Sequence, residues 1–251
     1  MNNLKQYYEQ GKLEIGLDEA GRGCLMGPVF TAGVILNDIN SNPPPYEIKD
    51  SKKCSPKIRR ILRKYIEENS IAHCVEQISP ERIDKFNILE ATMEGMEKCV
   101  DNITSVINVD RLLVDGNTFH TYMEKSTFEH IPHVCIIGGD DKYLNIAAAS
   151  ILAKEYHDEY IMDLCSKNQI LINYDIMNNK GYGTKTHMLA LKEYGPTKWH
   201  RKSFKPCHQN INTVIIFKVL TPPFLICTTN EKFFACGELH TVICVTPYIF
   251  V

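Results

Sequence analysis

The ten cysteines include no C-x-x-C pair. Zinc-ribbon spacing is therefore missing, and reduced thiols in an intracellular compartment are the expectation. No uninterrupted apolar run reaches the roughly 18 residues of a membrane span. The opening M-N-N-L-K-Q-Y-Y-E-Q is too polar for a secretory signal. A strong charge of either sign is also lacking: the formal net charge is −2. Total charge thus names no nucleic-acid partner, and only its local distribution can. Residues 49–64 hold eight Lys/Arg against Asp50, and residues 180–205 hold seven against Glu193. Such clusters fit a footprint for phosphates and equally fit solvated helix faces. What the chain does have is bulk. Its 251 residues, 44% of them hydrophobic, can bury a core, and one domain plus an appendage is the expected division.

The centre of interest is residues 13–34. Leu13, Ile15 and Leu17 alternate with Glu14, Gly16 and Asp18, the period of a strand with one face in a core. That strand runs into adjacent carboxylates, Asp18 and Glu19, and then into Gly21-Arg22-Gly23. A β-branched run follows over 29–36. Acids at a strand's end suit a hard cation, which takes oxygen ligands, and glycines beside them admit a backbone or a phosphate. Alone, the pair equally fits a solvated surface turn.

Further along, N-S-N-P-P-P-Y reads as a loop leading to Asp50-Ser51-Lys52-Lys53. Ser55 and Pro56 suit the N-cap and first position of a helix carrying Ile58, Ile61, Leu62, Tyr65 and Ile66 at helical spacing. Residues 71–78 read as a third strand. Asn87 with Glu90 resembles a capping box for a helix with its stripe at Leu89, Met93, Met96 and Val100. Residues 111–117 form a buried strand ending in Asp115, and 134–137 another, closed by Gly138-Gly139. A long helix then runs to about Cys165, its middle so rich in small residues that it must lie tight against a sheet. Ser150, Lys154 and Asp158 share a face of it, and an acid there must be paired or hold a cation. Lys154 can serve a phosphate or simply pair with Asp158. Tyr182 stands in a glycine-flanked loop, followed by a short helix bearing His187, Leu189 and Leu191. The order predicts an α/β fold: an antiparallel meander extended by parallel strands into one mixed sheet, with helices packed on it. Residues 211–251 differ in kind, with short β-prone runs, little charge and no constellation of acids or glycines.

Seven motifs in order, D-E-A-G-R-G with G-P-V, D-S-K-K, L-V-D-G-N, G-G-D-x-K, I-A-A-A-S-I-L-A-K, N-K-G-Y-G-T and H-R-x-S-F, closely resemble ribonuclease HII over roughly residues 11–206. Ribonuclease HIII matches less well after the first acids, and its usual N-terminal domain has no room before Leu13. The resemblance implies a ribonuclease-H-like fold with a helical C-terminal part of the core. It also implies an endonuclease acting on RNA–DNA hybrids and on DNA with embedded ribonucleotides, cutting 5′ of the ribonucleotide to leave a 3′-hydroxyl and a 5′-phosphate. It assigns Asp18, Glu19, Asp115 and Asp158 as catalytic, metal-holding carboxylates for two Mg²⁺ or Mn²⁺ ions. Gly21, Arg22 and Gly23 would read the 2′-hydroxyl, Tyr182 would stack on the sugar at the RNA–DNA junction, and Lys52 and Lys53 would contact phosphates. The catalytic domain would be 1–210 and the tail 211–251 an unmatched appendage. A cytoplasmic monomer, or one in the compartment holding the genome, is expected. Three residues depart from the family pattern: Cys24, Met26 and His157, the last replacing an arginine whose role is supportive. Gln209 does not begin a clamp-binding motif. His187 and His200 receive no role beyond a solvated or structural one. A binding protein of the same fold without catalysis is the nearest alternative, and a sugar-kinase-like phosphotransferase, which needs two large domains, the next.

Overall fold

The computed structural model describes residues 4–125 and 127–208, together with two short strands, Ile216–Phe217 and Val242–Ile243, that pair antiparallel. The other runs of the tail read above as strands lie outside the described residues. The chain divides into two units, 1–208 and 209–251.

The first unit is built on a five-stranded mixed sheet. Its strands are β1 (Glu14–Ala20), β2 (Val29–Leu36), β3 (Ser70–Ile78), β4 (Arg111–Asp115) and a later strand, β7 (His133–Ile136), in the order β3-β2-β1-β4-β7. The first three pair antiparallel, and β4 and β7 are added parallel, as the sequence order predicts. A two-residue ribbon, β5 (Tyr122–Met123) with β6 (His130–Ile131), was not anticipated.

Helix α1 (Pro56–Asn69) begins as expected, the Ser55 hydroxyl accepting from Ile58 N–H with Pro56 at the first turn. Helix α2 (Pro80–Phe86) was missed, although Ser79-Pro80 repeats the same start signal. Helix α3 (Ile88–Thr104) is capped by Asn87, whose side chain accepts from Leu89 and Glu90 N–H. The capping box is only half formed. Asn87 N–H is donated to Ile83 at the end of α2, so nothing remains for Glu90 to accept from.

Helix α4 (Leu144–Lys167) crosses one face of the sheet, with α1 beside it. The other face carries α3, whose Met93, Met96, Cys99, Val100 and Ile103 pack on Ile15, Leu17, Leu112 and Val114. Contact between α4 and β1 is backbone to backbone. A Cβ at Gly16 would stand 2.2 Å from the carbonyl carbon of Asn145, so only glycine lets the helix come so near. Asn145 then stitches the layers: its Oδ1 accepts from Leu36 N–H at 3.0 Å and its Nδ2 donates to Glu14 O at 2.7 Å. The C-terminal part of the core is helical. The end of α4, α5 (Ile176–Asn179) and α6 (Lys185–Tyr194) gather Ile161, Leu171, Tyr174, Ile176 and Leu191 around Leu25 and Met26.

Candidate active site

Alternation along the strands decides which acids meet. Ile15 and Leu17 on β1, and Leu112 and Val114 on β4, face α3. Gly16 and Leu113 therefore face α4, and so do Asp18 and Asp115. The β1–β4 register pairs Leu17 with Val114, and one further step sets Asp18 beside Asp115. Asp18 is only 5% exposed. Burial first, then the charges of Glu19 and Asp115, hold its carboxyl well above the usual carboxylate range, despite bonds from Ser150 and Glu19 N–H. Glu19 is raised by burial and by Asp115, against the pull of Arg22, whose Nη1 lies 3.3 Å from its Oε1. Asp115 Oδ1 accepts from Gly139 N–H at 2.7 Å. Asp140 of the G-G-D-x-K stretch is pushed up to about 6 by burial and by Asp115 and Asp50. Sequence reading gave this acid no role, although its motif was recognised.

Asp158 is handled differently. Lys154 Nζ lies 2.7 Å from Oδ1, His157 Nδ1 3.1 Å from Oδ1, and Arg59 Nη2 3.3 Å from Oδ2. Burial alone would raise this carboxyl, but His157 and Lys154 hold it below its ordinary value. Of the two roles open to Lys154, pairing is the one seen. Arg59, one of the eight basic residues of 49–64, is buried, and also bonds Glu155, Ser51 O and Cys54 O. It thereby ties the D-S-K-K turn to α4, as does the contact of Ser51 Oγ with Ser150 Oγ at 3.0 Å. Lys52 and Lys53 are exposed on that turn, with Lys53 Nζ 2.6 Å from Asp141.

The donor chemistry of the strand-end acids fits a hard divalent cation: oxygen only, crowded, and partly desolvated. Among the described residues no group of three or more His, Cys, Asp or Glu is gathered closely enough to hold a metal by itself. Each acid is turned onto a protein donor instead.

Gly21, with φ +82°, begins the arginine loop. A Cβ here would fall 2.6 Å from the His157 ring, so both backbone shape and space require glycine. Arg22 is half-exposed. Tyr182, 38% exposed, packs against Gly23 and lies 5.7 Å below Lys154 Nζ. Its phenol is pushed up to about 12 by burial and by Cys24. His157 is buried behind these groups, its Nε2 3.6 Å from Cys24 Sγ. The arginine loop and Tyr182 thus form one surface, beside Asp158.

A further feature escaped sequence reading. Arg201 is fully buried and donates to three carbonyls: Gly27 at 2.9 Å, Arg22 at 2.9 Å and Gly21 at 2.7 Å. His187 and His200 are buried too, so of the two readings left open the structural one holds. Recesses of about 520 Å³ beside β3 and 400 Å³ beside residues 7–14 both lie away from the acids.

The family model described as Ribonuclease HII matches residues 15–209. A Ribonuclease HII from Parabacteroides distasonis is 44% identical over 201 residues, covering 80% of this chain and 94% of that protein. The crystal structure of the ribonuclease H2 from Pyrococcus horikoshii OT3 shares the fold, with TM-score 0.61 at 22% identity over 77% of this chain and 94% of that one. Bst-RNase HIII in complex with Mn²⁺ shares it at TM-score 0.55 and 17% identity, over 78% of this chain and 68% of that one. Matched over most of its length by the family model and by a relative of this identity, the chain belongs to the ribonuclease HII family.

Proposed function

We propose that the chain is a divalent-cation-dependent endonuclease. It cuts the RNA strand of RNA–DNA hybrids and the 5′ side of a ribonucleotide embedded in duplex DNA, leaving a 3′-hydroxyl and a 5′-phosphate. The observation that carries this reading is continuity. The acids Asp18 and Glu19 and the sugar-reading loop 21–23 are one unbroken stretch, with Tyr182 packed on the loop's last glycine. A group that cuts and groups that can tell ribose from deoxyribose therefore lie side by side.

Asp18, Glu19, Asp115 and Asp158 would hold Mg²⁺ or Mn²⁺, which when bound supply charge neutralisation and Lewis-acid polarisation of the phosphate. The Mn²⁺ in the Bst-RNase HIII structure supports that choice of ion. Without cations, burial and then the charges of Glu19 and Asp115 hold the Asp18 carboxyl well above the usual carboxylate range, a cost that a bound cation would relieve. Arg22 has spare guanidinium donors for a phosphate oxygen after its one bond to Glu19. The ring of Tyr182 offers a flat face to the sugar. Lys52, whose charge acts on both Glu19 and Asp140, is placed for the flanking phosphates. The test is cleavage of a DNA duplex holding one ribonucleotide, in Mg²⁺ and in Mn²⁺, with both product ends identified. Uncut substrate in both, or a cut on the 3′ side, refutes the reading.

A further inference from the structure

One arrangement of protons satisfies every hydrogen bond of the buried histidine pair, including the Thr197 Oγ1 that lies 2.8 Å from His200 Nδ1. Thr197 N–H donates to His200 Nδ1 at 2.9 Å, so that nitrogen carries no proton. A neutral His200 then carries its proton on Nε2, which lies 2.9 Å from His187 Nε2. His187 Nε2 must accept, leaving its proton on Nδ1, which lies 3.0 Å from the carbonyl oxygen of Tyr182. That carbonyl also accepts from Thr184 N–H at 2.8 Å. The chain of bonds runs from Thr197 through both imidazoles to Tyr182. It closes only if both rings are neutral, which their burial favours.

The residue next to His200 is Arg201. Its fork takes the carbonyls of Gly21 and Arg22 toward the interior. In a trans peptide the following N–H points opposite to the carbonyl. The amides of Arg22 and Gly23 are therefore aimed away from Arg201. Two consecutive residues thus reach both halves of the sugar-reading surface, Arg201 directly and His200 through His187.

We propose that His187, His200 and Arg201 are positioning residues, a buried brace that holds Tyr182 and the 21–23 loop at one fixed separation and thereby sets the preference for a lone ribonucleotide. The inference rests on the nuclease reading above and assigns the means by which its substrate choice is kept.

The test uses the full chain. Imidazole NMR of ¹⁵N-histidine-labelled wild type should show protons on His187 Nδ1 and His200 Nε2 at neutral pH. The opposite tautomer at His187 overturns the brace. Kinetics then compare specificity constants for a lone-ribonucleotide duplex and a long RNA–DNA hybrid at one salt concentration. His187→Phe keeps a ring but loses the donor, and the ratio should fall about tenfold. His187→Asn restores a donor near the Nδ1 position and should bring the ratio back toward wild type. Arg201→Lys, one ammonium in place of a fork, should weaken the lone-ribonucleotide substrate more than the hybrid and so lower the same ratio. A folded His187→Phe protein with the wild-type ratio, or no rescue by asparagine, refutes the proposal. Should wild type cut neither substrate, the nuclease reading fails instead. Fluorescence anisotropy of the same duplexes without divalent cation then decides the brace by the same ratio, and the tautomer measurement stands unaffected.

Discussion

Replacing Asp18 by asparagine should make the cation-free protein more stable while disabling it. The side chain is buried, lies beside Asp115 and adjoins Glu19, and its carboxyl is held above the usual range by burial and by both neighbours. Asparagine keeps the shape and can still accept the Glu19 N–H now given to Oδ1 at 2.7 Å. Only the unfavourable charge is lost. A gain of about 1–2 kcal/mol is usual when a strained functional residue is neutralised. For a chain of this size that corresponds to about 2–8 °C in Tm. Divalent cation reverses the order: at about a hundred times its dissociation constant it stabilises wild type by about 2.7 kcal/mol, and the variant by much less. Cleavage should fall about a thousandfold or more, as expected when several kcal/mol of transition-state stabilisation are lost. Thermal melts with and without Mg²⁺ and Mn²⁺, together with single-turnover cleavage, give all three numbers. A variant that melts lower than wild type without cation, or that cleaves near the wild-type rate, would refute the reading of Asp18 as an uncompensated metal-holding acid.

Tyr182→Ala should cost roughly 1–3 kcal/mol, taking base–aromatic stacking as a guide, and more on a lone ribonucleotide than on a hybrid; an unchanged ratio of specificity constants would make Tyr182 a structural loop residue. A chain ending at Asn210 should keep a similar kcat, because the matched motifs end at Phe204; a folded but inactive product would make the tail part of the site. His200, pushed down to about 4 from 6.5 by burial and then by His187, takes up its proton later folded than unfolded. Its contribution is therefore complete above pH 6.5 and is lost as pH falls toward 4, amounting to about 2 kcal/mol between pH 7 and 5. Urea midpoints should fall less steeply with acid in His200→Gln, and parallel curves for the two proteins would count against a buried neutral imidazole.

The sheet was legible because its strands announce themselves. Ile15 and Leu17 alternate cleanly, the run 29–36 is β-branched, and the tight links between the early strands leave little but a meander. The strand-end acids stood out only in company, since Asp18 and Glu19 alone fit a solvated turn and it is the later motifs carrying Asp115 and Asp158 that single them out. Helix α2 went unread because seven residues are too few for a period, although Ser79-Pro80 marked its start. The buried arginines were opaque in a deeper way. Arg59 and Arg201 stand among lysines and arginines that read as a phosphate footprint or a solvated face, yet both point inward. The partners of Arg201 lie 174 to 180 residues away in sequence, and no local pattern records such a bond. The histidines were opaque because their meaning lies in proton positions, which depend on Thr197 and Tyr182 together.

One consequence of β1 concerns where the cut falls. Under the proposed activity, the acids that would hold the cations at the reacting phosphate and the loop that would read the sugar occupy residues 18–23. Each residue spans at most about 3.3–3.6 Å of chain. Ala20 alone separates Glu19 from Gly21, and its strand is sealed beneath α4 by the contact at Gly16. Under the proposed activity this stretch is a ruler with its zero at Asp18 and its mark at Arg22. The step between recognised sugar and broken bond is written into covalent lengths. Loops elsewhere can tighten or loosen the grip on a duplex, but they cannot move the cut by one nucleotide.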